Sequence, residues 1–151
     1  MGIGTISATL ENSDALKRML EKRIADLSPV LEEATEAAGN IILEEMKYRA
    51  PKHTGQNLEP DLQIRNRENT ETSSSLEVGP KDFPGARQRE YGGVITAKNA
   101  PFLVWKDYEG NWHRAKSVYQ PPTPYIRPAI VAKRGVAAAK LASMVRKGFG
   151  L

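Results

Sequence analysis

The 151-residue chain contains no cysteine, and that absence removes several classes of function at once. Without a thiol the protein can hold no disulfide framework, no cysteine nucleophile and no cysteine-ligated zinc. No stretch approaches the roughly 20 consecutive apolar residues that a membrane-spanning helix needs, so the sequence predicts no such helix. Aromatic residues make up only 7% of the chain, but 40% of it is hydrophobic, which suits one folded domain with a modest core.

Acidic residues are missing from the C-terminal part of the chain. Between Gly110 and Leu151 there are eight basic residues and no Asp or Glu. The remaining sequence holds 14 of the 22 basic residues and all 18 acidic ones, so it is net negative although the whole chain carries +4. This asymmetry predicts a basic surface that meets nucleic acid, an acidic partner or the acidic side of another copy. The alternative is a basic helix face that only meets solvent.

A helical apolar pattern runs through the first third of the chain. Apolar side chains recur three or four positions apart, as one face of a helix requires. They are Leu16, Leu20, Ile24, Leu27, Leu31, Ala34, Ala38 and Ile41. Ser28-Pro29 interrupts the pattern, because proline lacks an N–H and the pair suits a helix start. We therefore predict helices over 13–27 and 29–49, with a single kinked helix as the alternative.

The middle of the chain shows the period-two alternation of strands. Predicted strands, including one near the N-terminus, cover 5–10, 62–65, 76–78, 94–95, 102–105 and 112–119. The polar stretch 66–75 is expected to be a hairpin tip, and 79–88 a loop. We also expect one face of the later, aromatic strands to pack in the core against the long helix, and the other face to be covered by a helix or to be a subunit contact.

A final helix is predicted over 126–148, with its apolar face on Ile126, Ile130, Ala137, Leu141 and Met144 or Val145. Because the strands are gathered between helices, the sequence predicts a single α+β domain over 1–151. Its parts are a strand plus helices (1–50), a mostly antiparallel sheet (60–120) covered on one face by the long helix, and the C-terminal helix.

Residues with catalytic chemistry are sparse. His53 and His113 are about sixty positions apart, and no phosphate loop, nucleophile elbow or metal-ligand spacing is present. We therefore predict no enzymatic activity, no catalytic residues, no metal and no cofactor. Basic and aromatic residues alternate around Trp112-His113-Arg114, which keeps a basic nucleic-acid-binding module as the alternative function. A small hydrolase is the least favoured interpretation.

Four short phrases, taken in order, resemble a family of phage proteins. They are Ala50-Pro51 with Thr54-Gly55, Leu76 to Pro80, Glu90 to Gly93, and Pro124 to Ala129. They are similar to the "A-P-x-x-T-G", "V-G", "E-Y/F-G" and "P-F-L-R-P-A" phrases of the gene-product-ten-like head–tail joining and tail-completion proteins of long-tailed phages. The stretch from Gly92 to Trp105 also resembles the related virion-morphogenesis proteins.

The resemblance implies a structural part of the virion, assembled in the host cytoplasm from phage neck and tail proteins and often self-associated as a hexameric ring. No membrane and no sequence-specific nucleic acid is expected, although weak DNA contact is compatible with the basic helix. The motif residues are expected to specify the fold: Ala50, Pro51, Thr54, Gly55, Tyr91, Gly92, Gly93, Pro124, Tyr125, Arg127 and Pro128.

Charge suggests how neighbouring copies of such a protein would meet. A basic C-terminal helix and an acidic N-terminal helix favour head-to-tail contacts, which can close into rings. The predicted interface residues are Glu32, Glu33, Glu36 and Glu44 on the acidic side, with Lys133, Arg134 and Lys140 on the basic side.

Overall fold

The computed structural model describes residues 13–51, 61–81, 85–107 and 109–150. The elements are α1 (Ser13–Arg49), β1 (Leu62–Asn69), β2 (Ser74–Pro80), α2 (Ala86–Tyr91), β3 (Gly93–Thr96), β4 (Leu103–Lys106), β5 (Trp112–Ala115), β6 (Ser117–Gln120) and α3 (Ile126–Phe149). A long first helix, antiparallel strands and a last helix confirm the α+β prediction. The predicted strand at 5–10 and the residues His53, Thr54 and Gly55 lie outside the described part of the chain.

α1 is one continuous helix through Pro29, so the prediction of two helices is wrong and the single-helix alternative is correct. Pro29 cannot donate to the carbonyl of Ala25, but both residues are exposed, and water can satisfy that carbonyl. Next to the proline, the Ser28 hydroxyl donates to the backbone carbonyl of Thr70, at 3.2 Å. Surface exposure therefore makes the proline tolerable inside the helix.

The strands that the structure describes form three separate two-stranded antiparallel ladders, β1–β2, β3–β6 and β4–β5, rather than one sheet. β1 and β2 pair from Leu62–Pro80 to Asn69–Ser74, so the hairpin tip is shorter than predicted. The tip is tightened by the Thr70 hydroxyl, which accepts the N–H of Ser73 at 3.0 Å. The predicted loop over 79–88 is also partly wrong, because the short helix α2 begins at Ala86.

Two glycines let other elements approach α1 closely. A Cβ at Gly39 would lie 2.8 Å from Leu76 Cδ1, so β2 packs directly on the helix there. A Cβ at Gly148 would lie 2.5 Å from Val30 Cγ1, which brings the end of α3 against α1. Since Lys133 lies near Glu45 at the other end, with 3.5 Å between Nζ and Oε2, α3 runs antiparallel to α1.

The main core forms where α1, β1 and α3 meet. Its buried members are Leu43, Met46, Ala50, Leu62, Tyr125 and Ala129. Met46 is 1% exposed and Tyr125 fully buried. The predicted face of α3 is right at Ala137, which is buried, but wrong at Ile130, which is 40% exposed. Ala129 replaces Ile130 in the core, and its small side chain admits the bulky Met46 and Tyr125 beside it.

Residues 93–120, here called the arm, hold β3, β4, β5 and β6. β3 pairs with β6, and β4 pairs with β5. Because only Lys116 separates β5 from β6, the β4–β5 ladder follows the β3–β6 ladder along the arm. None of the described residues in the arm is buried. The expectation that its aromatic side chains enter a core against the long helix is wrong, because these strands pair only with one another and the core is filled by α1, β1 and α3.

Candidate functional site

Glu90 joins two phrases that are far apart in the sequence. Its carboxylate accepts the backbone N–H groups of Tyr125, Ile126 and Arg127, each at 2.9 Å. The Arg127 side chain donates to the same carboxylate at 3.1 Å. N–H groups at a helix start have no partner within the helix, and a negative charge is favourable there. Glu90, which is 2% exposed, thus fastens the start of α3 to the end of α2.

The charge of Glu90 is maintained by these contacts. Burial alone would raise the pKa of its carboxyl group, but the hydrogen bonds from Arg127, Ile126 and Tyr125 outweigh burial and hold the pKa below its usual 4.5. The group is therefore a buried anion at neutral pH. Glu90 belongs to the recognised phrase Glu90 to Gly93 but was not predicted as a site residue, because nothing local shows what it contacts.

Most of the predicted fold-motif residues that the structure describes gather around Glu90. The Arg127 guanidinium lies 4.6 Å from the centre of the Tyr91 ring. Gly92 has φ +70°, and a Cβ there would lie 2.8 Å from Pro122 Cδ, so glycine is required. Gly93 has φ +145°. Pro124 lies just before α3, and Pro128 lies in its first turn. Pro51 is partly buried beside Ala50 at the end of α1.

The predicted interface residues differ in whether they are already paired within the chain. Glu36 pairs with Arg67 at 2.9 Å and Glu44 with Lys47 at 3.0 Å. Lys133 pairs with Glu45. Among the described residues, the other four form no ion pair and are exposed: Glu32, Glu33, Arg134 and Lys140. Their role in an interface stays a prediction.

An acidic surface surrounds Pro29 on α1. Asp26, Glu32 and Glu33 stand three or four positions from the exposed proline and therefore lie next to it on the helix. None of the three forms an ion pair with any described residue, and no basic residue occurs between Ile24 and Met46. We call this group of four residues the Pro29 surface.

One face of the β4–β5 hairpin combines apolar and cationic side chains. Cross-strand pairing places Val104 opposite Arg114 and Lys106 opposite Trp112, all on the same side. Val104 is 63% exposed and Trp112 71%. Lys106 Nζ lies 5.5 Å from the centre of the Trp112 ring, and Arg114 lies 5.5 Å from the Phe102 ring. We call these four cross-strand residues the arm face.

The opposite side of the hairpin has a polar arrangement. Trp105 stacks on His113 with ring centres 5.5 Å apart. His113 Nε2 lies 2.7 Å from an Asp107 carboxylate oxygen. Hydrogen bonds from His113 and from the Asn111 backbone lower the pKa of Asp107 to about 2. His113 therefore stabilises the turn between β4 and β5 through its contact with Asp107.

Within the described ranges, no group of His, Asp and Glu is arranged to hold a metal ion. In the same residues, no helix is long and apolar enough to cross a membrane. A wide depression of about 660 Å³ lies along the end of α3 and is lined by small residues and two cations: Ala139, Ala142, Ser143, Arg146, Lys147 and Gly150.

Comparison with known proteins shows the family of the chain. Residues 14–92 match the family described as "Bacteriophage HK97-gp10, putative tail-component". Searches of curated proteins and of solved structures gave no significant match. The matched segment is just over half of the chain, runs from α1 through α2 and ends where the arm begins. The chain therefore belongs to the HK97-gp10-like family of bacteriophage tail components.

Proposed function

We propose that the protein is a structural part of the head–tail connection, or of the completed tail, in a phage or prophage particle. It acts through contacts between proteins, without catalysis. The observation that carries this proposal is the arm, whose large apolar side chains are exposed although the chain has a separate core. Exposed apolar patches of this kind are typical of interaction surfaces. Family membership supports phage tail proteins as the partners.

Self-association is the second part of the proposal. The acidic residues Glu32 and Glu33 of one copy would meet cationic residues of the next copy, from α3 or from the arm. Such head-to-tail contacts use two different surfaces and close into a ring when the rotation per subunit allows it. The family resemblance suggests a hexamer. Exposed ion pairs contribute only about 0–1 kcal/mol each, so we expect a monomer or weak oligomer in isolation and a ring on a partner's template.

A nucleic-acid contact is the second candidate function. It is favoured by the arm face, where Trp112 lies beside Lys106 and Arg114, since aromatic rings and cations together bind single strands. A salt titration of DNA binding separates the two functions, because DNA binding that depends on phosphate contacts weakens steeply with added salt.

Removal of the gene from its phage tests the main proposal. We expect heads and tails that remain unjoined, or tails that remain unfinished, in electron micrographs of the lysate. Supplying the intact gene on a plasmid should restore joined particles. Particles of normal number, shape and infectivity in the absence of the protein would refute the structural role.

A further inference from the structure

The β4–β5 hairpin lacks the contacts that usually make a hairpin stable. It has only two strands, so each strand has one unpaired edge among the described residues, and none of the hairpin residues that the structure describes is buried. An isolated two-stranded hairpin is marginally stable in water, and unpaired strand edges invite pairing or covering. The arm face is therefore a sheet face that a second surface is expected to cover.

The chemistry of the arm face defines that second surface. Val104 and Trp112 form its apolar centre, and Lys106 and Arg114 supply two positive charges without an acidic residue among them. Neither cation forms an ion pair with any described residue. The complementary surface must therefore offer an exposed apolar centre with unpaired carboxylates close to it.

The Pro29 surface has these properties. Its apolar centre is an exposed proline ring, and its three carboxylates are also without an ion pair in the described chain. Since Pro29 has no N–H, the carbonyl of Ala25 lacks its helical donor and can accept a further hydrogen bond. The cations of α3 are a poorer match, because Lys133 is already paired with Glu45 and no aromatic residue stands beside Arg134 or Lys140.

We propose that the arm face of one copy docks on the Pro29 surface of a second copy. The Trp112 ring covers Pro29, while Lys106 and Arg114 reach Asp26 and Glu33. The two surfaces differ, so the contact is head-to-tail and each copy keeps one free surface for the next. This inference rests on the self-association in the proposed function and names the surfaces that carry it.

Site-directed cross-linking tests the contact, and the absence of native cysteine makes it clean. Val104→Cys and Glu32→Cys are purified separately, and circular dichroism confirms that both are folded. On mixing under mild oxidation, we expect a disulfide-linked dimer that neither variant forms alone. The chain carrying both changes should give a ladder of oligomers. Lys17→Cys, which lies about 22 Å from position 32 along α1, is the control in place of Glu32→Cys. It keeps Asp26 and Glu33, so docking is unchanged, but it should give little product because a disulfide needs Cα atoms within about 7 Å of each other.

A charge exchange tests which residues hold the contact. Lys106→Glu with Arg114→Glu should abolish cross-linking through like-charge repulsion, and so should Asp26→Lys with Glu33→Lys. A mixture of the two reversed chains, each with one cysteine, should regain it, because every arm then faces an oppositely charged helix. Reversal at Lys17 and Lys22 is the matched control and should have no effect.

Three results would overturn the proposal. One is a charge-exchanged mixture that fails to cross-link although all chains are folded. Another is a ladder of cross-linked oligomers that forms with Arg134→Cys but not with Val104→Cys, because α3 would then supply the cations that meet the Pro29 surface. The third is a change in tryptophan emission on adding DNA at low salt, reversed by salt, with no cross-linking between copies. If docking fails and gene removal still leaves heads and tails unjoined, the structural role stands and only the assigned surfaces are wrong.

Discussion

The arm and the rest of the described chain, here called the body, place similar side chains in opposite environments. In the body, Met46 and Tyr125 are almost fully buried, and two of the four motif phrases meet around Glu90. In the arm, both tryptophans of the chain are exposed, Trp105 by 38% and Trp112 by 71%. Bulky apolar residues therefore lie in two environments in this protein, the core of the body and the exposed surface of the arm.

The two cations of the arm face also differ from several charged residues of the body. In the body, several charged residues are paired within the chain, as in Glu90–Arg127, Glu36–Arg67 and Lys133–Glu45. In the arm, Lys106 and Arg114 lie over aromatic rings and form no ion pair with described residues. The family match stops at Gly92, immediately before the arm. In the proposed function, the body specifies the fold and the arm supplies contacts to other molecules.

The largest effect should come from a cavity in the core of the body. Met46→Ala removes a side chain that is 1% exposed, where α1, β1 and α3 meet. Such a truncation lowers the free energy of unfolding by about 2–5 kcal/mol, because it removes buried apolar groups and also leaves a cavity. Urea unfolding followed by circular dichroism measures the change in the free energy of unfolding. A loss below about 1 kcal/mol would mean that this site collapses or is not the core.

The next effect concerns the anchor of α3. Glu90→Ala leaves three backbone N–H groups and Arg127 without their acceptor, which we expect to cost about 1–3 kcal/mol. Glu90→Gln keeps an acceptor and should cost less. Because the folded protein lowers the pKa of Glu90, its stabilising effect is present above the ordinary value of 4.5 and is lost as the pH falls through the lower folded value. Urea unfolding across this pH range should show a steeper loss for the native chain than for Glu90→Gln.

The sequence predicts the parts of the fold that depend on local patterns. Apolar periodicity indicated the helical regions, and alternation around Ile64 and Val78 indicated the β1–β2 hairpin. α2 was missed because its six residues show no apolar period. The continuity of α1 was only the alternative prediction, because a proline is tolerated inside a helix where the freed carbonyl meets solvent. That is a tertiary property.

The candidate site could be predicted only in part. The charge asymmetry and the motif phrases were visible, but Glu90 contacts backbone groups 35 to 37 positions away. Spacing along the chain cannot show such a contact. Nor could it show that Glu36, Glu44 and Lys133 have partners within the chain while Glu32, Glu33, Arg134 and Lys140 do not. The aromatic residues of the arm resembled core residues, because apolar alternation in the sequence is the same in a buried strand and in an exposed one.

A smaller effect is expected inside the arm, at the hairpin turn. The His113 side chain is the first cause of the lowered pKa of Asp107, so His113→Ala should raise that pKa from about 2 toward the ordinary 3.8. Because the folded pKa is depressed, the turn keeps this support above pH 3.8 and loses it as the pH falls toward 2. Carboxyl NMR titration measures the value directly. Arg114→Ala, on the other side of the hairpin, is the control, and an equal rise in that variant would assign the shift to overall charge.

The smallest effect on stability should come from the bulkiest exposed side chain. Trp112→Ala removes a ring that is 71% exposed, so the free energy of unfolding should stay within about 0.5 kcal/mol of the native value. Truncations of tryptophan in a core cost about 3–5 kcal/mol, which makes the comparison with Met46→Ala decisive. The same variant should weaken cross-linking between Val104→Cys and Glu32→Cys chains, since the ring covers Pro29 in the proposed contact. If Trp112→Ala unfolds as easily as Met46→Ala, the arm is packed into the body and the division into a folding region and a contact region is wrong. If stability and cross-linking are both unchanged, the division holds but Trp112 is not the centre of the contact.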